Sequence, residues 1–183
     1  MAKRLSRILT IGIFGEITYE SLERFVYGTH DYAGWNQIVG EFKIGDKVEV
    51  LINSGGGDLD AGIGIYEVLK TSGLKFTTRA LGLVGSTAAL IFQAGTSREM
   101  TEGGYIFMHE GSVDASGGIK TLKSYSEHSQ NLHQWYCRQI ADRSGVSLQT
   151  IMKLAAAETF VNAEASLEMG LTDFVQPYDV KAK

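Results

Sequence analysis

Residues 81–90 read LGLVGSTAAL and place one hydroxyl, that of Ser86, among residues that are otherwise small or apolar. The apolar run before this serine predicts a strand over Leu74–Leu81, and the run after it predicts a helix over Ser86–Ala94. A serine at such a junction lies near a helix N-terminus, where free backbone N–H groups and the positive end of the helix dipole stabilise a developing anion. A serine that only caps the helix is the commoner explanation of one such position, so a nucleophile needs further support.

A second unusual stretch, VEVLINSGGGD, occupies residues 48–58. It predicts a buried strand over Val48–Asn53, a turn made by the three glycines, and a helix over Asp58–Lys70. Glycines allow a backbone to approach a ligand closely, and N–H groups ahead of a helix can form half of an oxyanion hole. A phosphate cradle is the alternative, but the stretch has neither the Lys-Ser/Thr pair of a P-loop nor the spacing G-x-G-x-x-G.

A third stretch, GYIFMHEG at residues 104–111, predicts a strand over Tyr105–Met108 that ends on His109. The other three histidines, His30, His128 and His133, lie in polar or helical surroundings. A lone histidine at the end of a strand is more often structural than catalytic. Together with Ser86 it becomes a candidate general base, because a serine needs a neighbouring base to become nucleophilic.

Four stretches in this order, LINSGGG, GLVGSTAALIFQAG, YIFMHEG and FVNAEASLEMGLTDFV, resemble the Clp proteolytic subunit family of serine peptidases. The resemblance covers roughly residues 6–176. It implies that Ser86 is the nucleophile and His109 the base. It also implies that the backbone N–H groups of Gly57 and Thr87 form the oxyanion hole.

A peptidase of this kind is expected to bind its peptide or unfolded substrate in an extended form, as an added strand along Gly55–Gly57 and Glu110–Val113. The predicted substrate-binding residues are Gly55, Gly56, Glu110 and Gly111. This chemistry requires no cofactor and no metal ion. The single cysteine, Cys137, also excludes an internal disulfide and a cysteine-rich metal cluster.

The third member of the expected triad departs from the family pattern. Glu158 stands where the family has an aspartate before a Phe-x-x-Ala sequence. A glutamate can still orient an imidazole, but its extra methylene requires the backbone that carries it to sit further back. Asp173 is the alternative acid, although the resemblance gives it a structural position. A catalytically impaired ring subunit that partners an active relative is therefore a second hypothesis, and a crotonase-type acyl-CoA enzyme is a third.

The composition predicts one domain over residues 1–183, because 183 residues with 44% hydrophobic content fill one core. A net charge of −4 means that basic residues are not in excess, so we expect no nucleic-acid partner. The apolar run Ile8–Phe14 is too short for a secretory signal, and no stretch approaches the about 20 apolar residues of a membrane span. We therefore expect no membrane association and a cytoplasmic location.

Strand and helix patterns alternate from Val48 onward, which predicts parallel βα units and an α/β fold. The resemblance adds the architecture, a crotonase-like spiral of ββα units of the ClpP type with a long projecting handle helix. The remaining predicted elements are a strand over Ile8–Phe14, helices over Glu20–Tyr27, Gln149–Ala157 and Ala163–Gly170, a strand over Phe174–Gln176 and a polar tail over Tyr178–Lys183.

The longest helical pattern covers residues 117–142, and Gly145 follows as a stop signal. In the family this helix is the handle that interlocks two rings, and the aromatic pair Trp135-Tyr136 would suit such an interface. The resemblance thus implies homo-oligomeric rings, as a heptamer or tetradecamer.

Docking of an AAA+ ATPase is left open by the sequence. Family members receive the ATPase through an N-terminal axial loop and an aromatic-lined groove. Here about five residues precede the first matching strand, which is too few for that loop, and the groove positions carry Glu49, Leu51 and Thr71. We expect poor docking, because a charge and lost aromatic area disfavour an apolar peptide loop.

Overall fold

The computed structural model describes residues 6–112 and 114–178. Val113, at one end of a predicted substrate edge, and the part of the predicted tail beyond Tyr178 lie outside this range. The strands are β1 (Ile8–Ile17), β2 (Lys47–Gly57), β3 (Thr77–Gly85), β4 (Ser97–Thr101), β5 (Tyr105–Met108), β6 (Thr159–Asn162) and β7 (Phe174–Gln176). The helices are α1 (Tyr19–Tyr27), α2 (Trp35–Glu41), α3 (Leu59–Thr71), α4 (Thr87–Phe92), α5 (Ile119–Ser144), α6 (Leu148–Ala156) and α7 (Ala163–Glu168).

One sheet connects all the described strands, in the order β1-β2-β3-β4-β7, with parallel pairing throughout that path. Strand β5 branches from this path: it pairs in parallel with the end of β3 and antiparallel with β6. The predicted α/β fold is therefore confirmed. The branch at β5 matters for function, because it brings the ends of β3 and β5 side by side.

The core follows from simple alternation and from one unusually apolar helix. Along β2, every second residue from Val48 to Ser54 is buried, as expected for a strand in a covered sheet. All six residues of α4 are buried, which requires a helix that is apolar on every side. Burying a large apolar side chain contributes about 1.5–3 kcal/mol, so α4 is anchored firmly and the residue before it has a fixed position.

The predicted glycine turn is wrong. Strand β2 continues through Gly57, because β1 also runs on and pairs Glu16 with Gly56 and Ile17 with Gly57. Helix α3 begins only at Leu59, after Asp58 caps it by accepting a hydrogen bond from the Ala61 N–H at 2.8 Å. The glycines are thus held in a sheet rather than in a free loop.

Several other boundaries differ from prediction. Strand β3 runs to Gly85 rather than to Leu81, because its last three residues pair with β5. The sequence analysis missed α2, β4 and β6, of which β4 and β6 are short and depend on pairing with strands remote in the chain. Short elements of this kind carry too few residues for a periodic pattern.

Helix α5 spans 26 residues and is therefore about 39 Å long at 1.5 Å per residue. Its buried residues all lie in the last third: Tyr136, Cys137, Ile140 and Ala141. The helix ends as predicted at Gly145, which adopts a left-handed conformation. The expectation that Tyr136 belongs to an interface is wrong, because this side chain is 4% exposed and packs inside its own subunit. Among the described helices, α5 included, none is long and apolar enough to cross a membrane.

Candidate active site

Ser86 and His109 meet because they follow neighbouring parallel strands. Gly85 pairs with Phe107 in the register of β3 and β5, and the Ser86 N–H donates to the Phe107 carbonyl at 2.8 Å. The carboxyl ends of the two strands therefore lie together at one edge of the sheet. There, His109 Nε2 lies 2.8 Å from Ser86 Oγ, within hydrogen-bond distance.

The backbone of Ser86 has a conformation that side chains rarely adopt, with φ 50° and ψ −125°. Ser86 is the residue before α4, but its side chain makes no capping hydrogen bond. The hydroxyl contacts His109 instead, which the capping explanation does not account for. Such backbone strain costs on the order of 1–3 kcal/mol and is often found at functional sites.

Two glycines allow the backbone to approach this turn closely. A Cβ atom at Gly56 would lie 2.6 Å from Ser86 Cβ and 2.7 Å from the Gly85 carbonyl. A Cβ atom at Gly62 of α3 would lie 1.7 Å from Thr87 Cγ2. Only glycine fits at either position, so β2 and α3 press directly against the residues around Ser86.

The two residues predicted for the oxyanion hole are in contact. The Thr87 hydroxyl donates to the Gly57 carbonyl at 3.2 Å. Thr87 is also the first residue of α4, where a backbone N–H has no partner within the helix. Both residues therefore lie near Ser86, and the role of their N–H groups in binding an oxyanion stays a prediction.

The imidazole of His109 is held by stacking and by one hydrogen bond. It stacks on Phe107 at 5.2 Å between ring centroids, and Phe107 stacks on Phe160 at 4.3 Å. Its Nδ1 accepts a hydrogen bond from the Gly111 N–H at 3.2 Å. An amide N–H can only donate, so in this geometry the proton of a neutral ring is on Nε2 and points to Ser86. A ring in this tautomer cannot act as the general base, because a general base needs a free lone pair on Nε2. We call it the resting tautomer.

The register of β5 and β6 sets the position of Glu158 relative to His109. Met108 pairs with Thr159 in this antiparallel pair, so the next residues are His109 on one side and Glu158 on the other. The Glu158 side chain is exposed, and its backbone has φ 48°, which is uncommon outside glycine. No described residue forms a hydrogen bond or ion pair with its carboxylate, so the structure does not join it to His109.

A cleft of about 920 Å³ opens over Ser86 and His109. Its lining includes Ser86 and His109 and all four predicted substrate-binding residues: Gly55, Gly56, Glu110 and Gly111. His128 and His133, which the sequence analysis set aside, also line it, from helix α5. The volume lies in the range of sites that hold drug-sized ligands or short peptide segments.

Comparison with known proteins assigns this arrangement to a family. The sequence model described as Clp protease matches residues 41–178, a range that contains Ser86, His109 and Glu158. The chain belongs to the Clp protease family. This confirms the family resemblance and the ClpP-type fold that the sequence predicted.

Curated relatives within the Clp protease family are distant in sequence. An ATP-dependent Clp protease proteolytic subunit of Ligilactobacillus salivarius is 27% identical over 74% of this chain and 70% of its own length. One from Mesostigma viride is 29% identical over 67% of this chain and 54% of its own length. A proteolytic subunit 2 of Corynebacterium efficiens is 27% identical over 70% of this chain and 65% of its own length.

Asp173, the alternative acid, is engaged elsewhere. Its carboxylate accepts hydrogen bonds from the backbone and guanidinium of Arg98 and pairs with Arg143 at 3.1 Å. Burial alone would raise the pKa of Asp173, but the hydrogen bonds and positive charge of Arg98, with Arg143, hold it below its ordinary value. Asp173 therefore ties the start of β7 to β4, and Glu158 is left as the candidate acid of this Clp family member.

Tyr136 of α5 is a further residue at the site that the sequence did not reveal. Its hydroxyl donates to the backbone carbonyl of Ser86 at 3.0 Å. The helical spacing placed Tyr136 on the apolar face of α5 but gave no sign of which neighbour it meets. Only the packing of the end of α5 over α4 brings the two together.

Proposed function

We propose that this chain is the proteolytic subunit of a Clp-type serine endopeptidase. The observation that carries the proposal is the 2.8 Å contact between Ser86 Oγ and His109 Nε2, at the start of a buried helix and inside the cleft. The substrate is a peptide or an unfolded segment, bound in an extended form along Gly55–Gly57 and Glu110–Gly111. The test is hydrolysis of a fluorogenic peptide together with fluorophosphonate labelling that maps to Ser86.

The reaction proceeds through an acyl-enzyme. Ser86 Oγ attacks the peptide carbonyl while His109 Nε2 takes its proton, and the amides of Gly57 and Thr87 receive the oxyanion. His109 returns the proton to the leaving amine, and water then hydrolyses the ester by the same route. Attack by Ser86 and attack by water both require the lone pair on Nε2, so the proton of the neutral ring must be on Nδ1. The Gly111 N–H must then release Nδ1, and an acceptor must receive a hydrogen bond from the Nδ1–H, which stays on the ring. Glu158 is the acceptor that the register favours.

Replacing Glu158 with glutamine tests this acceptor. We expect kcat to fall on the order of 10²–10⁴-fold, because a neutral amide does not stabilise the imidazolium or select its tautomer. The melting temperature should stay within about a degree or two of the wild-type value, since the exposed carboxylate forms no hydrogen bond or ion pair with a described residue. Glu164→Gln, at another exposed glutamate, is the matched control. Full activity in Glu158→Gln would reduce the site to a serine–histidine dyad.

A catalytically impaired subunit is the second candidate, and a specific observation favours it. The His109 Nδ1 already accepts a hydrogen bond from the Gly111 N–H, so the ring is in the tautomer that cannot act as a base. If this arrangement persists with substrate bound, the chain serves as a ring subunit beside an active relative. Absence of Ser86 labelling in an assembled protein would favour this role, and turnover of an enoyl-CoA would instead favour a crotonase-type reaction.

Assembly into rings is part of the proposal. The N-terminal half of α5 carries apolar side chains that the described part of the chain leaves exposed: Ile119 is 88% exposed, Tyr125 51% and Leu122 40%. A helix face of this kind is stabilised when another subunit covers it. We propose a closed homo-oligomeric ring, a heptamer or a stacked tetradecamer, with the clefts facing an enclosed chamber.

A mass measurement tests the ring. Size exclusion with light scattering should show a species many times 19.9 kDa. Replacing Ile119 and Tyr125 together with lysine should shift this species to smaller assemblies, because charges on the contact face oppose its burial. The same double change at exposed Tyr27 and Ile44 is the control. A wild-type monomer at micromolar concentration contradicts the ring.

Weak docking of an ATPase partner also belongs to the proposal. Arg79 of β3 pairs with Glu49 of β2 at 3.3 Å and with Glu99 of β4 at 2.8 Å. This charged row crosses three strands at the face where family members receive an apolar loop. One arginine between two carboxylates leaves the row with one net negative charge, which disfavours an apolar loop. ATP-dependent degradation of a folded substrate with a Clp ATPase would contradict weak docking.

A further inference from the structure

The Tyr136 hydroxyl contacts the peptide unit that joins Ser86 to Thr87. It donates to the Ser86 carbonyl at 3.0 Å, and the same carbonyl accepts from the Ala89 N–H at 2.9 Å. The tyrosine is 4% exposed, and burial raises its pKa far above the ordinary value, so the hydroxyl stays a donor at any working pH.

The geometry of the peptide unit links this bond to the neighbouring amide. A trans peptide is planar, and its C=O and N–H point in opposite directions. Holding the Ser86 carbonyl toward α5 therefore turns the Thr87 N–H the other way. On that side lies the glycine strand: a Cβ atom built at Gly56 would lie 3.0 Å from the Thr87 nitrogen. Gly56 lines the cleft, so this is the side where a substrate carbonyl would bind.

Backbone strain at Ser86 favours rotation of the Ser86–Thr87 peptide if its carbonyl is released. At φ 50° and ψ −125°, Ser86 is in a region that only glycine adopts freely. A half turn of the peptide would bring ψ of Ser86 to about 55° but would also make the negative φ of Thr87 positive, so we expect a smaller rotation. That rotation would weaken both bonds to the carbonyl and turn the Thr87 N–H out of line with the cleft.

We infer that Tyr136 is a positioning residue, which holds the Ser86–Thr87 peptide so that the Thr87 N–H faces the substrate. The inference rests on the proposed peptidase function. The buried end of α5 would then have a role at the site. A shift in the packing of α5 would free the Ser86–Thr87 peptide and turn the Thr87 N–H away from the oxyanion, while Ser86 Oγ and His109 stay in place.

Tyr136→Phe is the test, because it removes one hydroxyl and leaves the ring that packs in the core. We expect kcat for a fluorogenic peptide to fall about 3- to 10-fold, the equivalent of one hydrogen bond, with KM unchanged. The affinity of a peptide boronate, whose tetrahedral oxygen occupies the oxyanion site, should fall by the same factor. The affinity of the peptide product should not change, and the loss should be equal from pH 6 to pH 9.

Tyr66→Phe is the matched control. The Tyr66 hydroxyl is also buried and also bonds α5, by donating to Gln139 Oε1 at 3.2 Å, but Tyr66 does not line the cleft. A comparable loss of kcat in both variants would assign the effect to the stability of α5 and overturn the inference. Unchanged kcat and boronate affinity in Tyr136→Phe would overturn it as well.

A structural measurement separates this inference from the proposed function. If the wild-type protein neither hydrolyses peptides nor labels at Ser86, the proposed function fails. High-resolution crystal structures of the wild type and Tyr136→Phe then decide the inference alone. A rotated or doubly occupied Ser86–Thr87 peptide in the variant supports it, and an unchanged, equally ordered peptide overturns it.

Discussion

Replacing Ser86 with alanine is expected to lower peptide turnover on the order of 10⁵–10⁶-fold, because among the described hydroxyls of the cleft that of Ser86 is the one in contact with an imidazole. The fold should be unaffected. Among the described residues, the side chain of Ser86 bonds only to His109, and the removed hydroxyl caps no helix. Measured by circular dichroism, the melting temperature of the variant should match that of the wild type.

A matched variant makes this result specific. Ser147→Ala removes an exposed hydroxyl that caps α6, outside the cleft, and should keep both turnover and fluorophosphonate labelling. Labelling should disappear only in Ser86→Ala. Substantial turnover in Ser86→Ala by protein free of contaminating peptidase would show that the catalytic assignment is wrong.

Removing the carboxylate of Asp173 is expected to give the largest loss of stability, about 2–4 kcal/mol in the free energy of unfolding for Asp173→Ala. The reason is Arg98, whose side chain is 3% exposed and whose charge Asp173 neutralises through two guanidinium bonds. Asp173 itself is 36% exposed, so water screens part of the interaction and the loss falls below that of a fully buried pair.

Urea unfolding measures this loss, with Asp31→Ala as the control. Asp31 is 78% exposed and pairs only with exposed His30, so its removal should cost within about 0.5 kcal/mol. If Asp173 were instead the triad acid, Asp173→Asn would lose activity while keeping stability. The structure favours the opposite result, since Asp173 bonds Arg98 and Arg143 rather than His109.

The contribution of Asp173 should also depend on pH in a defined direction. Its pKa in the folded protein is below the ordinary value near 4, so folding favours the ionised form. The stabilisation is fully present above that ordinary value and is lost as the pH falls through the folded pKa. The difference in unfolding free energy between the wild type and Asp173→Asn should therefore narrow only under acid conditions, below about pH 4.

The family, the α/β fold and the two residues that meet at the site could be predicted from the amino-acid sequence alone. Ser86 and His109 could be paired in advance because each follows an apolar strand, a serine nucleophile needs a neighbouring base, and the family resemblance gave the two residues these roles. The end of α5 at Gly145 could also be predicted from local sequence, since glycine readily adopts the left-handed conformation that ends a helix.

Tertiary structure decided the features that depend on partners far along the chain. The glycines at 55–57 form a strand rather than a turn because β1 continues beside them, and no property of glycine itself predicts that. The bond from Gly111 to His109, which selects the resting tautomer, depends on how the chain turns after β5. Tyr136 reaches Ser86 across 50 positions of sequence. Local periodicity tells which face of a helix is apolar, but the neighbour that this face meets is fixed only when the whole core packs.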